Sequence, residues 1–175
     1  MRAVLLAGGG GRRAGGPKAH IDVGGTPLWR VVADRLAARF PDLVVAVGPE
    51  PWDTTPYEGV GDQGRGPLDG ISAASTGDDL VVWTVDVPDV EPSELEELAR
   101  PSTVVRHLVD ETGRPQPLLA RWPAAAIADI PAYLDHGGRS VLGFLDRHDH
   151  AAVGRPRSRT HLTTPRDVER WLGSV

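Results

Sequence analysis

Six glycines fall within nine positions behind a short apolar run: Gly8, Gly9, Gly10, Gly11, Gly15 and Gly16. Arg12 and Arg13 sit among them and Lys18 follows. A loop without side chains lets backbone N–H groups close on an anion, and successive N–H groups form an anion-binding nest. Arg13 and Lys18 add positive charge, so the loop reads as a phosphate cradle. Lys18 stands out further, because the chain has 19 basic residues and every other one is arginine. Three rival readings are weaker. A Walker loop ends in Gly-Lys-Ser/Thr, whose hydroxyl holds the metal, whereas Pro17-Lys18-Ala19 lacks both the glycine and the hydroxyl. A dinucleotide fingerprint needs a helix to begin inside the loop, which Gly15-Gly16-Pro17 forbids. A plain surface turn does not explain six glycines, each of which costs backbone entropy when ordered.

The elements around the loop follow from patterning. Residues 3–7, 43–47 and 80–85 are continuous short apolar runs, as in strands buried on both faces. Thr26-Pro27 predicts a helix start, with threonine at the cap and Leu28, Val31, Val32 and Leu36 at helical spacing. A short helix is expected over 68–74 and an acidic one over 92–99, with strands over 103–109 and 118–122. An alanine-rich helix over 124–135, interrupted at Pro131, precedes one over 140–147. Thr164-Pro165-Arg166-Asp167 carries a capping-box signature. Strands alternating with helices imply an α/β fold, a mostly parallel sheet with helices on both faces and an antiparallel element near 103–122. No repeat or linker interrupts this, so one domain over 1–175 is expected.

Composition narrows the function classes. At 175 residues the chain is long enough to bury roughly 70% of its unfolded surface. It has no cysteine, which leaves no disulfide framework or thiolate metal site. No run approaches the roughly 18 apolar residues of a membrane span, and the five-residue apolar run at the N-terminus is too short for a secretory signal. A cytoplasmic protein without membrane contact is expected. A net charge of −5 argues against a nucleic-acid partner. Arg155, Arg157 and Arg159 are expected on a solvated loop, His148 and His150 on an exposed turn, and Trp52 as a packing residue.

Leu6-Ala7-Gly8-Gly9, followed by Arg13, Gly15 and Lys18, resembles the nucleotide-binding signature of the molybdenum cofactor guanylyltransferase family. Gly11 and Ala14 stand where that signature has serine and methionine. Later segments are similar to the same family: Gly66-Pro67-Leu68-Asp69-Gly70 with Asp62 ahead of it, Val85-Asp86-Val87-Pro88, Pro115-Gln116-Pro117-Leu118, Gly138-Arg139-Ser140, and His161-Leu162-Thr163-Thr164-Pro165-Arg166-Asp167. Asp69 occupies the variable motif position and is expected to face solvent. The family's asparagines are replaced at Gly48, His161 and Thr163, and the chain has no asparagine anywhere.

The resemblance implies a Rossmann-like three-layer sandwich of the nucleotide-diphospho-sugar transferase type. It implies transfer of GMP from GTP to molybdopterin with release of pyrophosphate and dependence on Mg²⁺. Arg13 and Lys18 would be catalytic. Leu6, Ala7, Gly8, Gly9, Gly10, Gly11, Lys18, Asp62, Gly66, Pro67 and Asp86 would bind nucleotide. Asp86 would also hold Mg²⁺, which takes one or two carboxylates plus phosphate oxygens. Arg139, Ser140, His161 and Thr163 would face the acceptor, although turn capping explains Asp62 and Ser140 equally well. GTP and molybdopterin are the expected partners of a monomer or weak oligomer. Cytidylyl relatives carry Leu-Ala-Ala-Gly, so Gly8 favours guanine. CTP, another phosphorylated acceptor, or non-catalytic GTP binding are the alternatives.

Overall fold

The computed structural model describes residues 1–8 and 18–174. β1 (Arg2–Leu6) has both faces buried beyond its first residue. β2 (Asp22–Val23) and β3 (Thr26–Pro27) make a small antiparallel ribbon turned at Gly24 and Gly25. Both glycines have positive φ, 61° and 88°, as a type I′ hairpin turn requires. Thr26 is therefore a strand residue and not the expected cap. α1 (Leu28–Ala37) begins directly after Pro27 and has no side-chain cap. Then come β4 (Leu43–Gly48), β5 (Glu58–Gly61), α2 (Pro67–Ala73), β6 (Leu80–Thr84) and α3 (Pro92–Ala99). β7 (Val105–Val109), β8 (Pro115–Trp122), α4 (Ala124–Ala128), α5 (Ile130–Asp135), α6 (Val141–Leu145), β9 (His150–Ala152) and α7 (Pro165–Leu172) complete the order.

Seven strands form one sheet in the order β5-β4-β1-β6-β8-β7-β9. β1 pairs in parallel with β4 on one side and β6 on the other, and β5 adds to β4 in parallel. β8 runs antiparallel to both β6 and β7, and β9 returns parallel to β7. Alternate residues of a strand point to opposite faces, and the core divides accordingly. Ala3, Leu5, Val45, Val81 and Trp83 pack under α1, α3 and α7, while Val4, Leu6, Val44, Leu80 and Val82 pack under α2, α4, α5 and α6. This is the three-layer α/β arrangement the alternating pattern implied.

Other segments depart from the sequence expectation as well. β8 begins at Pro115, ahead of the expected 118, and its register against β7 shifts between His107 and Leu108. Pro117 falls within that shift and has no N–H to give the ladder. His150 opens β9 instead of lying on a turn, and its Nδ1 is 3.1 Å from Nε2 of buried His107. Arg159 is buried, paired with Glu94 of α3 and donating to the Val109 carbonyl at 2.7 Å. Arg157 reaches Glu91 at 3.2 Å. The expected solvated loop is thus tied down by ion pairs. Among the described residues no helix is long and apolar enough to cross a membrane.

Candidate active site

From β1 the chain builds β4 and β5 on one side, then crosses over to β6 on the other. The crevice outside the carboxyl ends of β1 and β6 is therefore the topological switch point, where open α/β sheets take ligands. Lys18 reaches it from a 3-10 turn (Lys18–His20) that follows the glycine loop, and Asp86 reaches it from the turn after β6. The two meet there. Lys18 Nζ donates to Asp86 Oδ1 at 2.7 Å, with the lysine side chain 14% exposed and the aspartate 41%. Such a pair contributes little to stability when half open to water. Its consequence is positional, since it places a compact cation and a carboxylate at one point of the crevice.

The floor of the crevice is backbone. Ala7 and Gly8 both donate to the Ala46 carbonyl, at 2.9 and 2.8 Å. A Cβ on Gly8 would lie 2.2 Å from the Gly48 nitrogen, so the strands can approach here only without a side chain. Gly48 has φ of 81°, a region that asparagine tolerates better than most residues. The Gly48 carbonyl accepts from the Asp62 N–H at 3.1 Å, which seats the 62–66 loop beside Gly8. Asp62 Oδ1 caps the Gly64 N–H at 2.7 Å. Burial pushes the Asp62 carboxyl above its ordinary range, the Gly64 bond opposes this, and the charge of Asp69 adds to it. Gly66 (φ 102°) is the N-cap of α2 and Pro67 its first residue.

Asp69 does not face solvent. It is 4% exposed, with Oδ2 accepting from the N–H groups of Gln63 (2.7 Å) and Arg65 (3.2 Å). Its Oδ1 accepts from Arg65 Nε (3.1 Å) and Nη2 (2.8 Å). Burial opposes ionisation, yet the Arg65 contacts and the two N–H bonds hold the carboxyl below its ordinary value. A carboxylate at the third position of a helix is placed to turn back on the preceding loop. That offset was the available signal.

The other expected site residues divide into two sets. The segment holding His161 and Thr163 docks beside Asp86, because the Leu162 N–H donates to the Asp86 carbonyl at 2.9 Å. His161 itself is exposed, and Thr163 Oγ1 donates to Asp167 Oδ2 at 2.8 Å. Arg139 donates to the Leu134 and Gly138 carbonyls, and Ser140 caps α6 by accepting from the Gly143 N–H at 3.0 Å. Turn formation occupies both. Gly9, Gly10, Gly11 and Arg13 lie outside the described residues. Trp52 packs between His20 and Trp29, with ring centroids at 4.6 and 5.1 Å.

The description "MobA-like NTP transferase domain" fits residues 3–152. The chain belongs to the MobA-like NTP transferase family. A molybdenum cofactor guanylyltransferase of Cereibacter sphaeroides is 32% identical, the match covering 95% of this chain and 93% of that protein. One from Rhizobium meliloti (strain 1021) is 31% identical over 97% of this chain and 91% of its own. Among solved structures, a molybdopterin-guanine dinucleotide biosynthesis protein A from Archaeoglobus fulgidus superposes with a TM-score of 0.81 at 23% identity, covering 99% and 98% of the two chains. A 2-C-methyl-D-erythritol 4-phosphate cytidylyltransferase from Thermus thermophilus gives 0.69 at 18% identity, covering 98% of each. Both share the fold. This NTP transferase is accordingly an enzyme of the nucleotidyltransferase class.

Proposed function

We propose that this MobA-like transferase moves GMP from GTP to molybdopterin. The observation that carries the reading is the meeting of Lys18 and Asp86 at the switch point, beside the Gly8–Gly48 floor. The names of the curated relatives point to the same pair of substrates. In the reaction an acceptor phosphate oxygen attacks the α-phosphorus of GTP, and the bond to the β-phosphate oxygen breaks as pyrophosphate leaves. Such transfer calls for positioning and charge neutralisation and no nucleophilic side chain.

Lys18 serves the α-phosphate and the charge that develops on it, turning from Asp86 to the nucleotide. Gly8, Gly9, Gly10, Gly11 and Arg13 take the triphosphate. Leu6, Ala7, Asp62, Gly66 and Pro67 shape the nucleotide side, while Arg139, Ser140, His161 and Thr163 border the acceptor. Among the described residues no three acidic or histidine side chains group as a metal site. An ion at Asp86 would therefore share its shell with substrate phosphates, which suits Mg²⁺. Asp86 would hold the ion, which supplies charge neutralisation across the phosphates when bound. The test is pyrophosphate release with Mg²⁺ and each of GTP, CTP, ATP and UTP, with and without molybdopterin. Release is expected with GTP and molybdopterin together; release with CTP alone would sink the guanylyl reading.

A further inference from the structure

The loop over 62–66 has an unusual construction. The three successive N–H groups of Gln63, Gly64 and Arg65 all donate to carboxylates of this chain, to Asp69, Asp62 and Asp69 in turn. Such a run of N–H groups is an anion nest, and here the protein's own aspartates fill it. It therefore has no vacancy for a substrate phosphate. Arg65 is equally committed. Its Nε and Nη2 grip Asp69 while Nη1 pairs with Asp135, the last residue of α5, at 2.9 Å. One guanidinium thus joins the root of α2, the loop beside Gly48 and the helix that leads to Arg139 and Ser140. The planar fork of arginine can bridge two carboxylates in this way, and a lysine ammonium cannot reproduce it.

We infer that Asp69, acting through Arg65, is a positioning residue that fixes the 62–66 loop against the nucleotide side of the site. Asp69 is 4% exposed and both of its oxygens are engaged, so it does not touch substrate. Its effect passes through Asp62, Gly66 and Pro67, whose backbone it sets. Asp69→Asn keeps the size but turns an amide N–H toward a guanidinium that has only donors. The loop then loses its inner anchor while Lys18 and Asp86 stay as they are. A loop shifted off the nucleotide side removes contacts that the ground state and the transition state share, which raises KM and leaves kcat little changed.

The inference rests on the nucleotidyltransferase reading above, and the experiment separates the two. KM for GTP, kcat and thermal midpoint are measured for the wild-type chain, Asp69→Asn and Arg65→Lys, with molybdopterin as acceptor. The expected result is a rise in KM for GTP of about 10-fold or more in Asp69→Asn, with kcat changed far less. Arg65→Lys is expected to show the same KM-against-kcat split with a near-wild-type midpoint. If Asp69→Asn does not fold, Arg65→Lys alone decides. Variants that fold and keep the wild-type KM overturn the positioning role even if their midpoints fall, because that outcome marks a purely structural pair. Loss confined to kcat also overturns it. A wild-type chain inert toward GTP overturns the functional reading and this inference with it.

Discussion

Lys18 and Asp86 are 68 residues apart in the chain, yet their charged atoms stand 2.7 Å from each other where the strand order reverses. The lysine is nearly buried, so its replacement is not a surface change. Removing one electrostatic group of this kind costs on the order of 10²–10³ in rate, which is the fall in kcat expected for Lys18→Gln. Lys18→Arg should fail to restore turnover although the charge is kept, because a planar fork replaces a compact point charge. Wild-type kcat in either variant would remove Lys18 from the chemistry. At Gly8 the expectation concerns packing. Gly8→Ala forces a Cβ to within 2.2 Å of Gly48 backbone, and overpacking of this kind costs about 1–3 kcal/mol. A denaturant midpoint equal to wild type would show that the close approach is not real. Gly8 and Asp86 were legible in the sequence because each lies just past a strand end with a fixed exit direction, and Lys18 because it is the one lysine of the chain. Asp69 and Arg159 were not, because a charged residue reads as solvated until its tertiary partner is known.

Among the elements, α7 is defined from both ends of its capping box. Thr164 accepts from the Asp167 N–H, and Asp167 Oδ2 accepts from the Thr164 N–H at 2.8 Å. Thr164→Ala should cost about 1 kcal/mol, or a thermal midpoint about 2–4 °C lower for a chain of this size; an unchanged midpoint would contradict the box. The Thr164 and Thr163 hydroxyls, with the backbone N–H groups of both residues, hold the Asp167 carboxyl down at about 2 against an ordinary 3.8. That contribution is present above the ordinary carboxylate range and is lost as pH falls through about 2. Elements with dense apolar patterning, such as β1, β4 and β6, were evident from the sequence, as was this box. β5 (Glu58–Gly61) and β9 (His150–Ala152) were not, since both lie at sheet edges, exposed and poor in β-branched residues. Their backbone pairing carries them where side chains give no signal. The Gly24-Gly25 turn offered a hairpin signal, masked by the cap-like Thr26-Pro27 beside it.

At the scale of the whole molecule, the sheet divides into a parallel half that carries the proposed nucleotide site and a β8-β7-β9 half that closes the far edge. That far edge encloses His107, whose protonation burial disfavours, with its bond to the Leu108 carbonyl opposing and His150 adding a little. A histidine held below its ordinary value of 6.5 leaves stability complete above that pH and lost as pH falls through it. The urea midpoint should therefore drop between about pH 7.5 and 5.5, and His107→Gln should flatten the drop; equal slopes would contradict a buried neutral imidazole. The nucleotide half was the more legible in sequence, since its motifs sit on strand ends. The proposed acceptor side was less so, because Arg139 and Ser140 are taken up by turn geometry and His161 and Thr163 replace asparagines. The central claim concerns which bond breaks. It is tested by supplying GTP labelled at either the α- or the γ-phosphate together with molybdopterin and Mg²⁺, and following each label. The account predicts the α-label in a molybdopterin-bound product and the γ-label in pyrophosphate. An α-label released as free GMP, or a γ-label released as inorganic phosphate without pyrophosphate, would contradict nucleotidyl transfer.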